Sequence, residues 1–273
     1  MLAPGLRVAA NATRLPSRRR SNSMPINYLA SLTARERTAR ANLHLGVSLA
    51  FVAGALNAGG FLAIGQYTSH MTGMLSSAAD NLVLGHIPLV VTALLSILSF
   101  VLGAATTALM VNYARRNTSA NIYMLPLLTE SVLLLVFGLM GATLQMHELV
   151  DLSLTAALLC YVMGLQNALV TKISNAEIRT THVTGLVTDI GIELGKLFYW
   201  NRQPDGAGHM QRSDHLVVAN RTKLRVHLSL VVSFFIGGVA GALGFKHVGY
   251  AATIPLAIGL VMMSSAPIFK PQD

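Results

Sequence analysis

The sequence predicts an all-α integral membrane protein, with six transmembrane helices in two inverted three-helix repeats, each repeat carrying a short broken or re-entrant helix. Three observations lead there. Hydrophobic residues make up 53% of the 273 and charged ones only 11%, a balance that a water-soluble surface does not allow. Six apolar runs come close to the roughly 20 residues that cross a bilayer core. Several residue patterns in the first half recur in the same order in the second.

Residues 1–40 form a basic leader, expected to be disordered and set aside from the fold. Arg14 to Arg20 is rich in arginine, no acid precedes Glu36, and Ser and Asn are frequent, as in a transit peptide. No secretory apolar region precedes Leu43, and Met24 is an alternative start. The first repeat, residues 41–150, holds crossings at Leu43 to Ile64, Ile87 to Tyr113 and Met124 to Leu144. The second, residues 151–273, holds Leu152 to Ile173, Leu224 to Phe245 and Tyr250 to Ile268, with a polar cytoplasmic loop over 201–222. Met71 to Leu84 and Val183 to Trp200 have a helical pattern but carry Asp80, Asp189, Glu193 and Lys196, and are too short or too polar to cross alone.

The basic residues give the orientation, because Lys and Arg collect in short loops on the cytoplasmic side. Six crossings with the N-terminus inside leave only Lys246 of the 20 Lys and Arg outside. Eight crossings would put five outside, so six are preferred. Both termini are then cytoplasmic. The net charge of +9 is explained as topology signal and contact with anionic lipid headgroups, and nucleic acid is not an expected partner. Homo-oligomerisation is left open.

Ser69-His70-Met71-Thr72-Gly73 is matched by Thr181-His182-Val183-Thr184-Gly185, 112 residues later. Asn57-Ala58 after Gly54 is matched by Asn167-Ala168 after Gly164, 110 later. Ser99-Phe100 with Gly103 is matched by Ser233-Phe234 with Gly237, 134 later. Three crossings per half would make the halves run oppositely through the membrane, the plan of many secondary transporters.

In the first short segment Thr72, Ser76 and Asp80 recur every four residues as one polar stripe, with Ser77 and Asn81 beside it. Thr184 and Thr188 match Thr72 and Ser76, and Asp189, Glu193 and Lys196 share a neighbouring face. A helix that opens on threonine offers free N–H groups and a positive dipole end, suited to a small anion. The bland alternative is an amphipathic helix lying flat in the headgroups. His70 and His182 stand at the segment entrances, where an imidazole either exchanges a proton near neutral pH or closes a helix break by bonding the backbone.

Glu130 lies within the third crossing and has no repeat partner, Gly259 falling at the matching position. A central acid costs about 2.5–3.5 kcal/mol on insertion scales, so it is a candidate for proton or cation coupling. Asn57, Gly59, Gly60 and Asn167 are candidates for a helix break, with helix-to-helix hydrogen bonding as the safer reading of the asparagines. Gly103 with Thr107 and Gly237 with Gly241 have the small-xxx-small spacing of close helix packing.

No catalytic motif is present, so an enzyme is not expected, and no cofactor is implied. The lone Cys160 excludes an intrachain disulfide and a cysteine metal site. The histidines with Asp80 or Asp189 could hold a metal only across the repeats, the weaker reading.

The stretches Asn57 to Phe61, Thr68 to Gly73, Gly164 to Ala168 and Thr181 to Gly185 resemble the YoaK family of bacterial membrane proteins, grouped under a domain of unknown function (DUF1275). The resemblance covers about Arg35 to Lys270 and implies a six-helix inner-membrane protein, with no activity attached. The residues themselves point first to a small-solute transporter or permease whose site forms where the two His-x-Thr-Gly segments approach, coupled to protons through His70, His182 and Glu130. The alternative is a non-transporting membrane scaffold or accessory subunit.

Overall fold

The computed structural model describes residues 39–117, 121–143, 150–173, 182–199 and 217–265. Residues 1–38 of the leader, Thr181, and residues 201–216 of the expected loop lie outside them, while Ala39 and Arg40 open the first helix. Among the described residues the chain is helical without strands: α1 (Ala39–Ile64), α2 (Met71–Val83), α3 (Ile87–Arg116), α4 (Met124–Thr143), α5 (Val150–Ile173), α6 (Val183–Phe198), α7 (Arg221–Val248), a 3-10 turn (Gly249–Ala252) and α8 (Thr253–Ser265).

Within α1, α3 and α5, and in the run Arg221–Ser264, lie stretches long and apolar enough to cross a membrane, and Met124–Leu139 in α4 is a shorter apolar helix. Only 22% of the α3 span is buried inside the protein, against 61% for α5. Leu94, Leu98, Leu102 and Leu109 of α3 therefore point outwards, a surface that lipid covers at no cost and water does not. The protein is a membrane-embedded helical bundle with α5 near its centre.

The contacts cross between the halves. Helix α1 packs along α7 and α3 along α5, with α4 against α8. Glycine makes these approaches possible. A Cβ on Gly54 would land on the Phe234 carbonyl oxygen and one on Gly237 on the Phe51 carbonyl oxygen. The other pair repeats the arrangement, Gly164 against Phe100 and Gly103 against Tyr161, as the small-residue spacing predicts. The partners keep the offsets of 110 and 134 found in the sequence. Burial follows suit: Ala93, Ser96, Gly103, Thr107 and Val111 face inwards on α3, and His227, Leu230, Gly237, Gly241 and Phe245, each 134 residues on, do so on α7.

Direction follows from the registers. Val47, Phe51 and Ala55 meet Ser233, Gly237 and Gly241, so α1 and α7 are parallel. Leu49 faces Gln166, whose Nε2 donates to its carbonyl at 3.4 Å, and Gly60 faces Leu159, so α1 and α5 are antiparallel. Ser131 donates to the Ala257 carbonyl at 3.0 Å while Gly138 faces Thr253, which makes α4 and α8 antiparallel too.

Two sequence expectations change. Helix α1 runs unbroken through Asn57, Gly59 and Gly60, and α5 through Asn167. These glycines serve packing instead, Gly59 taking the Phe245 ring and Gly60 the Leu159 side chain. The chain turns at Gly65, with φ of +71°, a conformation that costs a residue with a Cβ. Arg221 and Thr222, expected in the loop, open α7 behind Asn220, whose Oδ1 accepts from the Lys223 N–H at 2.9 Å.

Candidate functional site

After α1 the chain bends through residues 65–70 and continues as α2, which packs against α3. Asn57 ties this bend down from α1: its Oδ1 accepts from Ser69 Oγ at 2.8 Å and from the Ser69 N–H at 3.3 Å. Phe61 and Tyr67 stack across the bend with ring centroids 4.4 Å apart. Between the bend, α2 and α3 opens a cavity of about 360 Å³. Its polar lining includes His70, Ser77, Asn81 and Thr92, and its apolar lining Phe61, Tyr67, Met74, Leu89 and Ala93. The size suits a small molecule, and a few fixed polar groups in an apolar wall are the usual make-up of a ligand site.

The polar groups are held in place. Asn81 Nδ2 donates to the Ser77 carbonyl at 2.8 Å and lies 3.2 Å from Ser77 Oγ, while His86 Nδ1 lies 3.2 Å from Asn81 Oδ1. His70 stands at the N-cap of α2 with its ring folded over Gly73, so that a Cβ there would strike the imidazole. His182 and Gly185 repeat this contact at the start of α6. The glycine of each His-x-Thr-Gly motif thus makes room for the histidine ring, a role that the spacing alone did not reveal.

Only part of the predicted set meets at this cavity. His70 and Gly73 line it, together with Ser77 and Asn81, whereas Thr72, Ser76 and Asp80 lie on the adjoining exposed face of α2. The second motif does not join it: α2 packs on α3, and α6 on α7. On α6, Thr184 and Thr188 are exposed, Thr188 Oγ1 donating to the Thr184 carbonyl at 2.8 Å.

Asp189 and Glu193 bind the start of α7. Asp189 Oδ2 lies 3.4 Å from Lys223 Nζ and 3.6 Å from His227 Nδ1. Glu193 is buried; its Oε1 accepts from Lys196 Nζ at 2.9 Å and its Oε2 from the Asn220 N–H at 2.6 Å. The Lys196 hydrogen bond first, and the Asn220 N–H second, hold the Glu193 carboxyl below the usual carboxylate range. Lys223, His227 and Asn220 were not singled out from the sequence; the 134-residue offset, applied to the cavity wall, would have found the first two.

Glu130 is fully buried on α4, and among the described residues neither carboxylate oxygen has a hydrogen-bond partner. Among the described residues no group of three or more His, Cys, Asp or Glu side chains is placed to hold a metal ion.

The profile of a family described as "Protein of unknown function (DUF1275)" matches residues 45–266, from within α1 to the end of α8. The chain belongs to the DUF1275 family. No curated protein and no solved structure matches it. The matched residues include the cavity and both His-x-Thr-Gly motifs.

Proposed function

We propose that this DUF1275 protein is a small-solute transporter or permease of the bacterial inner membrane, with six crossings in two inverted repeats and both termini in the cytoplasm. The observation that carries the reading is the 360 Å³ cavity beside a helix interrupted next to its motif histidine. Non-helical backbone at membrane depth persists where protein or a water-filled path satisfies it. The bend at 65–70 has such support from Asn57 and opens on the cavity.

The inverted repeat is supported by α1 and α5, which match at the 110-residue offset yet run antiparallel, and by the glycine contacts that recur between α1 and α7 and between α3 and α5. Orientation rests on the Lys and Arg distribution. Among the described residues the cavity lining carries no acidic side chain, and Gly73 and Met74 of the first turn of α2 line it, a wall suited to a small neutral or anionic solute.

Proton coupling is assigned to His70, His182 and Glu130. Glu130 supports it most directly, since an unpartnered buried carboxylate is stable only with a proton or another cation. The protein is not an enzyme on this reading.

Reconstituted vesicles test it with a panel of small carboxylates and neutral polar solutes. At least one is expected to enter saturably, faster under an inward proton gradient, and to be excluded by His70→Ala. Absence of uptake across a panel that cells overproducing the protein take up no faster than deletion cells would favour a scaffold.

A further inference from the structure

The open cavity has a counterpart, and the counterpart is bridged. Ser77 and Asn81 of the first cavity correspond to Asp189 and Glu193 at the motif offset of 112, while Leu89 and Ala93 correspond to Lys223 and His227 at the offset of 134. Where the first half has uncharged side chains around a space, the second has four ionisable ones at the same junction, Asp189 lying 3.4 Å from Lys223 and 3.6 Å from His227 and Glu193 closing onto Asn220 at 2.6 Å. The backbone frame is alike: Met74 and Leu186 are the buried residues at the matching turn of α2 and α6, and Ala93 and His227 those of α3 and α7. The difference between the halves is therefore concentrated in these side chains.

We propose that the α6–α7 junction is a second solute crevice, opening to the opposite side of the membrane and held shut in this conformation by the Asp189–Lys223–His227 and Glu193–Lys196–Asn220 contacts. The proposal rests on the transporter reading above and assigns its second gate; the ligand is the small polar solute of the first cavity. Inverted halves exchange conformations by rocking about a shared site, so one crevice opens as the other closes. Ion pairs suit such a gate. Lys223 and Asp189 are half exposed, at 45% and 40%, so water replaces their contact at little cost when it opens. The buried Glu193 keeps Lys196 as a partner from its own helix after Asn220 withdraws, which avoids stranding a charge.

Two single-cysteine proteins made on a Cys160→Ser background test the proposal, Thr92→Cys in the cavity wall and Val226→Cys at the corresponding place on α7. Each is labelled with a membrane-impermeant maleimide in vesicles of both orientations, with and without D189N/E193Q. With the contacts intact, Thr92→Cys reacts and Val226→Cys is protected. With them removed, Val226→Cys should react about tenfold faster, the factor for losing about one charged hydrogen bond, and Thr92→Cys should slow.

Continued protection of Val226→Cys overturns the proposal, as does a rise at Val226 with no fall at Thr92, which would make the cluster a simple staple. If D189N/E193Q fails to fold, Lys223→Gln carries the same expectation with a smaller rise. Protection of Thr92→Cys in the otherwise intact protein would instead remove the open cavity, and with it the transporter reading, whatever happens at Val226.

Discussion

Replacing Gly54 with alanine puts a methyl group where the Phe234 carbonyl oxygen sits. A carbonyl cannot rotate away as a side chain can, so α1 and α7 must part along their whole contact. Overpacking of this kind costs about 1–3 kcal/mol. The better helix propensity of alanine returns no more than about 1 kcal/mol. A net loss of about 1–2 kcal/mol corresponds to about 2–8 °C in Tm for a chain of this size. Cys160, the only cysteine and a buried one, provides the assay in detergent, since a thiol-reactive fluorophore reaches it on unfolding. Gly164→Ala should lose a similar amount, because its Cβ would meet the Phe100 carbonyl in the same way. Gly195→Ala, which meets no atom within 4 Å, should be neutral or slightly stabilising. Equal Tm values for Gly54→Ala and Gly195→Ala would refute the packing argument.

Ser69→Ala removes the hydroxyl that donates to Asn57, leaving only the longer N–H contact, and should cost about 0.5–1.5 kcal/mol in the same melting assay, with faster proteolysis at the 65–70 bend. Gly65→Ala should lose about 1 kcal/mol, because the turn holds φ at +71° with open space around it and the cost is conformational alone. Gly73→Ala and Gly185→Ala should each displace a histidine ring, visible as a shifted imidazole resonance with little change in Tm. The Glu193 carboxyl is held low, so its contribution to the α6–α7 junction is complete above the ordinary carboxylate range and is lost as pH falls through the lowered value; pepsin cleavage at Leu197–Phe198 should stay slow in mild acid and accelerate only once the pH passes below that value.

Helix positions were legible because an apolar run of membrane length admits few other structures, and α1, α3 and α5 start and stop within a few residues of the runs that predict them. The small-residue spacings at Gly103 and Gly237 also read correctly as packing faces. Their partners did not, because nothing local says that Gly237 meets Phe51 of the other half rather than a helix of its own. On α2 the four-residue period found a polar stripe, but one residue of rotation is about 100° on a helix, and the cavity takes Gly73, Ser77 and Asn81 instead of Thr72, Ser76 and Asp80. Asp189 was visible as an acid in an odd place. Its partners Lys223 and His227 lie beyond a long intervening stretch, and only the 134-residue offset applied to the cavity wall relates them to the first half.

The opposed facing of the two halves is tested most directly at Leu84 and Val218, which are equivalent at the 134-residue offset, 66% and 74% exposed, and stand at the ends of the α2–α3 and α6–α7 connections. Cysteines are introduced singly at each on the Cys160→Ser background and labelled with an impermeant maleimide. Leu84→Cys should react in intact spheroplasts and Val218→Cys only in inside-out vesicles. Labelling of both from the same side would contradict it.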